Sequence, residues 1–233
     1  MADPGKPHPI AGIVILNKPV GASSAQYVYR LRPILGVRKV GHAGTLDPFA
    51  EGVLLGCVGR GTRLVESLMA LPKHYRTTLR LGVTNETFDT ERPFESVTGA
   101  VPLSRSVVEA AVGRFAGEID QVPPDFSAVK VGGVAGYRLA KRGLAVRHKA
   151  RRTRIDRIEI IEYAWPTLCL EVACGRGTYI RAIARDLGER LGCGACCETL
   201  TRAAVGPFTL DRAVRLETAT PQEVCSALLP LDE

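Results

Sequence analysis

Apolar residues recur along the chain in three patterns, and each predicts a kind of element. Short continuous runs bounded by turn residues predict buried strands over Ala11–Leu16 and Val53–Val58. The first ends in Asn17-Lys18-Pro19-Val20-Gly21, a turn. Strict alternation predicts half-buried strands where Tyr75, Thr77, Leu79 and Leu81 interleave with Arg76, Thr78 and Arg80, and again within 157–162 and 167–172. Leu200–Phe208 reads as a strand entering a turn, and the turn-rich 83–100 stretch as a loop with an edge strand. Helical spacing joins Tyr27, Val28, Leu31 and Leu35, with Ser23 or Ser24 as cap, Pro33 shortening the last turn and Gly36 ending it. The same spacing marks Leu64–Met69, then Val107–Phe115, then Ile180, Ile183, Ala184, Leu187 and Leu191 behind a Thr178 cap. Thr220-Pro221-Gln222-Glu223 is a capping box with proline at the first helical position. Strands and helices do not alternate as regular βαβ units, so the fold class is α+β.

One stretch fits none of these patterns. Gly41-His42-Ala43-Gly44-Thr45-Leu46-Asp47-Pro48-Phe49-Ala50-Glu51-Gly52 is poor as helix and poor as strand. Its glycines allow unusual backbone conformations, and Pro48 biases Asp47 toward an extended or turn conformation. It reads either as an Asp-Pro turn between two elements or as a loop presenting an acid and a histidine beside the core. Lys18 and the Arg38-Lys39 pair bracket it in sequence with positive charge.

Charge narrows the partner. The chain carries 31 Lys and Arg against 24 Asp and Glu, a formal net charge of +7, which favours a polyanion. Arg138, Lys141, Arg142, Arg147, His148, Lys149, Arg151, Arg152, Arg154 and Arg157 crowd into one section, offset by Asp156 alone along the run. Phe126, Tyr137 and glycines interleave with them, as on a surface that follows a phosphate backbone. No apolar helical face accompanies the charges, so nucleic acid is favoured over membrane. The string Gly-Arg-Gly-Thr occurs at 59–62 and 175–178, each time between a predicted strand and helix, and such turns can bind phosphate through backbone N–H groups. It is not a P-loop, since no Gly-Lys-Ser/Thr is present. The 7 cysteines are irregularly placed and read as reduced thiols of a cytoplasmic protein, with Cys193, Cys196 and Cys197 clustered but lacking a second ligand pair at zinc-site spacing. Neither a dinucleotide fingerprint nor a metal cluster is evident, so no cofactor and no metal are expected. Residues 1–10 lack an apolar signal core and read as a disordered tail.

With these motifs in order the chain resembles the TruB family of tRNA pseudouridine-55 synthases from about Gly12 to Asp232. The matching strings are Asn17-Lys18-Pro19 with Gly21 and Ser23-Ser24; Gly41–Pro48; Lys73-His74-Tyr75; Pro123-Pro124 with Ser127-Ala128-Val129-Lys130; Gly177-Thr178-Tyr179-Ile180-Arg181; and Leu200-x-Arg202 with Val205-Gly206-Pro207-Phe208. The resemblance implies the pseudouridine synthase fold, a mixed, largely antiparallel central sheet flanked by helices and loops, within one catalytic domain over 11–233. It also implies cofactor-free isomerisation of a uridine in the T-loop of tRNA, by a monomer with no obligate protein partner.

By position Asp47 matches the family's catalytic aspartate, Arg181 the arginine that pairs with it, and Tyr179 a tyrosine proposed as proton acceptor. Tyr75 matches the aromatic that stacks on the flipped base, and His42 the residue that fills the gap left in the RNA. Lys18 matches a lysine packed behind the catalytic loop, and Leu200 a residue lining the pocket. The basic section, about 124–152, falls where the family has a thumb-like insertion that closes on RNA. Lys130, Arg142, Arg151 and Arg202 are the further candidates for RNA contact. Two departures stand out. Ala203 and Ala204 replace the family's usual Arg-Thr, and the chain ends where most bacterial members continue into a small RNA-binding domain. Two other readings remain open at this point: an RNA-folding protein without catalysis, and the catalytic subunit of a guide-RNA particle.

Overall fold

The structure, a computed structural model, describes residues 10–144, 146 and 148–231. The expected tail at 1–10, apart from Ile10, and Arg147 of the basic run lie outside the described residues. The chain forms two compact units, one from residues up to Ala70 together with those from Pro207 onward, the other from Leu71 to Gly206.

The first unit opens with β1 (Gly12–Lys18), which sends six of its seven residues into the interior, as its continuous apolar run predicts. The helix expected next is two short pieces, α1 (Ser24–Tyr29) and α2 (Leu31–Leu35). The break falls at Arg30, ahead of Pro33, because a proline ring clashes with the carbonyl four residues back, here that of Tyr29. Ser23 caps α1 by accepting from the Gln26 N–H, and Gly36 ends α2 in the left-handed region. The strand β2 (Val40–Ala43) then pairs antiparallel with β3 (Glu51–Val58), His42 opposite Gly56. This corrects the twelve-residue loop: its ends are strand, and only 44–50 is irregular. Gly41 and His42 look unlike strand residues alone; pairing with the buried β3 overrides their weak propensity. A 3₁₀ turn over Gly59–Leu64 and α3 (Val65–Ala70) complete this portion.

The second unit begins with β4 (Lys73–Leu81), whose alternating burial matches the sequence pattern. A small ribbon, β5 (Val83–Thr84) with β6 (Glu95–Ser96), sits in the turn-rich stretch. After α4 (Arg105–Gly113) comes β7 (Gly117–Gln121), a strand with no apolar alternation to announce it. The basic section contains a hairpin, β8 (Lys130–Val131) with β9 (Val134–Ala135), and the short α5 (Gly136–Ala140). Two long strands follow, β10 (Arg151–Ala164) and β11 (Thr167–Cys174), then α6 (Ile180–Leu191) and β12 (Ala195–Val205). Within this unit β12, β4, β11, β10 and β7 are neighbours in that order, all antiparallel. Its interior holds Leu79, Leu81, Ile155, Leu168, Leu170, Ile183 and Leu187.

The chain returns to the first unit through β13 (Phe208–Thr209), α7 (Pro221–Ser226) with the expected capping box, and β14 (Leu228–Pro230), which pairs with β1. The core of that unit is built from Val14, Leu16, Tyr27, Val28, Leu31, Leu54 and Leu55. Tyr27 is stitched in by its hydroxyl, whose one proton has the Asn17 carbonyl and the Glu217 carboxylate within reach and which accepts from the Leu216 N–H. Among the described residues one isolated bridge, Leu16 with Val214, is parallel. The expected α+β class with a largely antiparallel sheet and flanking helices is what the chain forms.

Candidate active site

In the first unit the irregular segment 44–50 leaves β2 at Gly44, whose φ of 86° explains the glycine, since a side chain there is strained. The segment is gripped through its backbone. Ser24 Oγ donates to the Leu46 carbonyl and accepts from the Leu46 N–H, both at 2.8 Å. Lys18 is fully buried, and its Nζ donates to the carbonyls of Pro19 and Ala22 at 2.8 Å and of Pro48 at 3.5 Å. The Gly21 N–H also donates to the Pro48 carbonyl. Leu46, Phe49 and Ala50 are buried, while Asp47 between them is half-buried. The loop therefore has an apolar underside and one carboxylate on its rim. His42, half-buried on β2, enters the same loop five residues before Asp47.

In the second unit, strand register gathers another set. Tyr75 on β4 stands between Val172 on β11 and Arg202 on β12, and Thr77 stands between Leu170 and Leu200. Tyr75, Leu200 and Arg202 thus share one sheet face, with Leu200 and Arg202 buried and Tyr75 half-buried. Lys73 lies two residues along this face, and burial, followed by the nearby charge of Arg202, pushes its ammonium down to about 8.

Arg181 lies in the first turn of α6. Its side chain is 3% exposed and pairs at 3.4 Å with Asp89, itself 2% exposed. It also donates to the carbonyls of Thr87 at 2.9 Å and Phe126 at 2.8 Å. Asp89 is a residue the sequence reading passed over as part of a turn. It accepts from the Thr87 hydroxyl at 2.7 Å and the Glu91 N–H at 2.9 Å, so its carboxylate organises the whole turn. Phe88, just before it, takes φ 55°, an unfavourable conformation costing roughly 1–3 kcal/mol. Its carbonyl is held by the Cys197 N–H. A second residue missed in sequence is Gln121 at the end of β7. It accepts from the Tyr179 N–H at 2.8 Å and donates to the Tyr179 carbonyl at 3.1 Å, fixing that residue at the head of α6. Tyr179, not Thr178, is the N-cap. Thr178 instead bonds the Thr153 hydroxyl and the Gly175 carbonyl.

Arg151 stands opposite Gln121 in the β10–β7 ladder, which places it beside the segment that holds Tyr179. Lys130 on β8 and Arg142 after α5 are exposed. The basic run is less naked than its sequence suggests. Arg152 meets Glu118 at 3.6 Å and Asp120 at 4.0 Å, Arg154 meets Asp156 at 2.6 Å, and Arg157 meets Glu159 at 3.5 Å. Glu118 and Asp120 reach Arg152 across the ladder with β7, a neighbour invisible in the sequence run. All seven cysteines are free thiols; burial pushes Cys196 and Cys197 up to about 12, so the cluster is inert core. Among the described residues no helix is long and apolar enough to cross a membrane.

The class to which this α+β fold, with its carboxylate on a clamped loop and its buried arginine, belongs is identified by family comparison as the pseudouridylate synthases. Residues 32–180 match the model of the TruB family pseudouridylate synthase N-terminal domain, and 181–232 that of the tRNA pseudouridylate synthase B C-terminal domain. The chain belongs to the TruB family of pseudouridylate synthases. It is 44% identical over 208 residues to tRNA pseudouridine synthase B of Syntrophobacter fumaroxidans, covering 89% of this chain and 68% of that one. It is also 44% identical over 226 residues to the protein of the same name from Mycobacterium tuberculosis, covering 95% and 75%. Among solved structures it resembles a chain of a Cbf5–Nop10–Gar1 complex, with TM-score 0.72, 25% identity, and 94% of this chain and 60% of that one covered. A chain of an H/ACA RNP bound to substrate RNA matches with TM-score 0.65 and 28% identity, over 88% and 51%. The chain thus spans about half to six-tenths of those two solved chains.

Proposed function

We propose that this chain is a stand-alone tRNA pseudouridine synthase that converts uridine 55 of the T-loop to pseudouridine. The observation that carries the reading is the presentation of Asp47: a half-buried carboxylate on a loop held by Lys18 and Ser24, in a chain 44% identical to proteins named tRNA pseudouridine synthase B.

The reaction breaks the bond from N1 of uracil to C1′ of ribose and forms a bond from C5 to C1′. The proton lost from C5 is balanced by one gained at N1, so no redox partner or cofactor is consumed. Asp47 serves as nucleophile or base beside the ribose. By family position Arg181 is the candidate partner of the catalytic carboxylate, and Asp89 keeps its guanidinium in place. Tyr179, held at its backbone by Gln121, moves the proton. Tyr75 stacks on the flipped uracil, a contact worth roughly 1–3 kcal/mol. His42 occupies the gap in the RNA, where flipping costs a few kcal/mol. Leu200 walls the pocket, and Lys18 fixes the loop from behind. The segment 124–152 closes on the RNA as a thumb, with Lys130, Arg142 and Arg151 contacting phosphates. Arg202, buried beside Tyr75, acts by positioning that ring.

The enzyme works as a cytoplasmic monomer on tRNA alone. A reading as the subunit of a guide-RNA particle is favoured by the solved complexes, but at lower identity than the stand-alone relatives. In a T-arm hairpin assay, Asp47→Ala should abolish product while RNA affinity stays within about twofold. Product formation by that variant at the wild-type rate would refute the assignment.

A further inference from the structure

The string Gly59-Arg60-Gly61-Thr62 looks in sequence like an anion-binding turn, yet its backbone is committed elsewhere. A Cβ on Gly61 would lie 2.3 Å from the Gly12 carbonyl oxygen, and one on Gly59 2.5 Å from that of Ile10. Both glycines let the 3₁₀ turn press flat against the start of β1. That packing leaves Arg60 and Arg63 exposed. The Gly59 N–H donates to the Lys39 carbonyl at 2.8 Å, Val40 stands opposite Val58, and Gly41 faces the Thr62 methyl. The turn therefore lies beside the entry to β2, where Arg38 and Lys39 are also exposed.

Four exposed cations thus come from two neighbouring segments at the entry to β2. Among the described residues none of the four makes an ion pair or a side-chain hydrogen bond. This sets them apart from Arg152, Arg154 and Arg157, whose charges are already matched by acids. The same strand leads directly to the site. At roughly 3.3 Å per residue, Lys39 lies about 10 Å along β2 from His42, a span of some three phosphates at roughly 3.4 Å of duplex axis each. Neither segment carries Phe, Tyr or Trp to stack an unpaired base. Leu64 is the large apolar side chain they expose, too little for a membrane surface.

We infer that Arg38, Lys39, Arg60 and Arg63 form a phosphate-binding surface for the double-stranded stem that carries the loop engaged by His42 and Asp47. The inference rests on the reading of the chain as an RNA-modifying enzyme and adds to it a fixed docking surface in the first unit. On this account the stem docks beside the entry to β2, in the first unit.

The test is a salt series of binding to a labelled T-arm hairpin, with the full chain and with Arg38→Gln/Lys39→Gln/Arg60→Gln/Arg63→Gln. Each phosphate contact adds about 0.7–0.9 to the slope of log K against log[salt], so the fourfold variant should lose about 3 from that slope. Shortening the stem so that only the loop and its closing pairs remain should bring wild type and variant together. The charge-preserving set Arg38→Lys/Arg60→Lys/Arg63→Lys should keep the wild-type slope, which guards against a loss from misfolding. Equal slopes for wild type and the fourfold variant on the full hairpin would overturn the inference. Pseudouridine in the same RNA is read separately. Product with equal slopes removes this surface alone, whereas a slope difference without product removes the enzymatic reading and leaves the surface standing.

Discussion

Asp47 and Arg181 are held by opposite means. Asp47 sits on a loop whose backbone is gripped from behind by Ser24 and Lys18, and the carboxylate itself is left half-buried. Arg181 is sunk in its unit, its guanidinium tied to a buried carboxylate and two carbonyls. Gripping a backbone fixes where a side chain starts. Pairing a buried charge fixes the tip and the ionisation state together, at the risk of a large loss if one partner goes. The first arrangement suits a group that must react, the second a group that must stay charged and still.

The contrast breaks most visibly at the buried pair. Asp89→Ala removes a buried carboxylate from the Arg181 guanidinium, and breaking such a pair costs about 3–5 kcal/mol. Urea denaturation should show that loss; an unchanged midpoint would mean the pair holds nothing. On the other side, Ser24→Ala removes both bonds to Leu46 and leaves a buried N–H and carbonyl unmatched, worth about 1–3 kcal/mol. Pseudouridine formation should fall with it even where the protein stays folded, because Asp47 is the next residue.

A smaller effect lies in the alkaline range. Burial raises Cys57 and Cys174 to about 11, and Cys196, Cys197 and Tyr27 to about 12. The folded chain keeps these protons when the unfolded chain has shed them, so stability falls as pH climbs past 9 toward 12. Lys73 has the opposite sign. Its ammonium, lowered from 10.5 to about 8, is lost first in the folded chain, so it adds stability as pH rises through that window. Lys73→Met should therefore make the alkaline loss of stability steeper than in wild type, measured as melting temperature against pH. A parallel pair of curves would contradict the assigned sign. Smallest of all, Arg152→Gln should change stability by less than about 1 kcal/mol, since its ion pairs are exposed. It should also leave the salt slope of RNA binding nearly unaltered, in contrast to the four free cations near β2.

Elements that carry their own period were legible in sequence: β1, β3, β4, α6 and the capping box at Thr220 form where the pattern puts them. Those that exist through a partner were not. The strand β7 has no alternation of its own and is made by its ladder with β10, and β2 is made by β3. The same reason hid Gln121, whose role depends on β7 ending beside Tyr179. Asp89 was hidden differently, because an aspartate in a polar turn gives no sign that an arginine 92 positions later will be buried against it. The basic run also shows what sequence cannot count, since Glu118 and Asp120 come to Arg152 from β7 only through folding.

The most direct measurement is a map of pseudouridine in whole, unmodified tRNA after incubation with the purified chain, with no guide RNA and no other protein present. A single conversion, at uridine 55 of the T-loop, is expected. Conversion at another uridine, or none until a guide RNA is supplied, would contradict it.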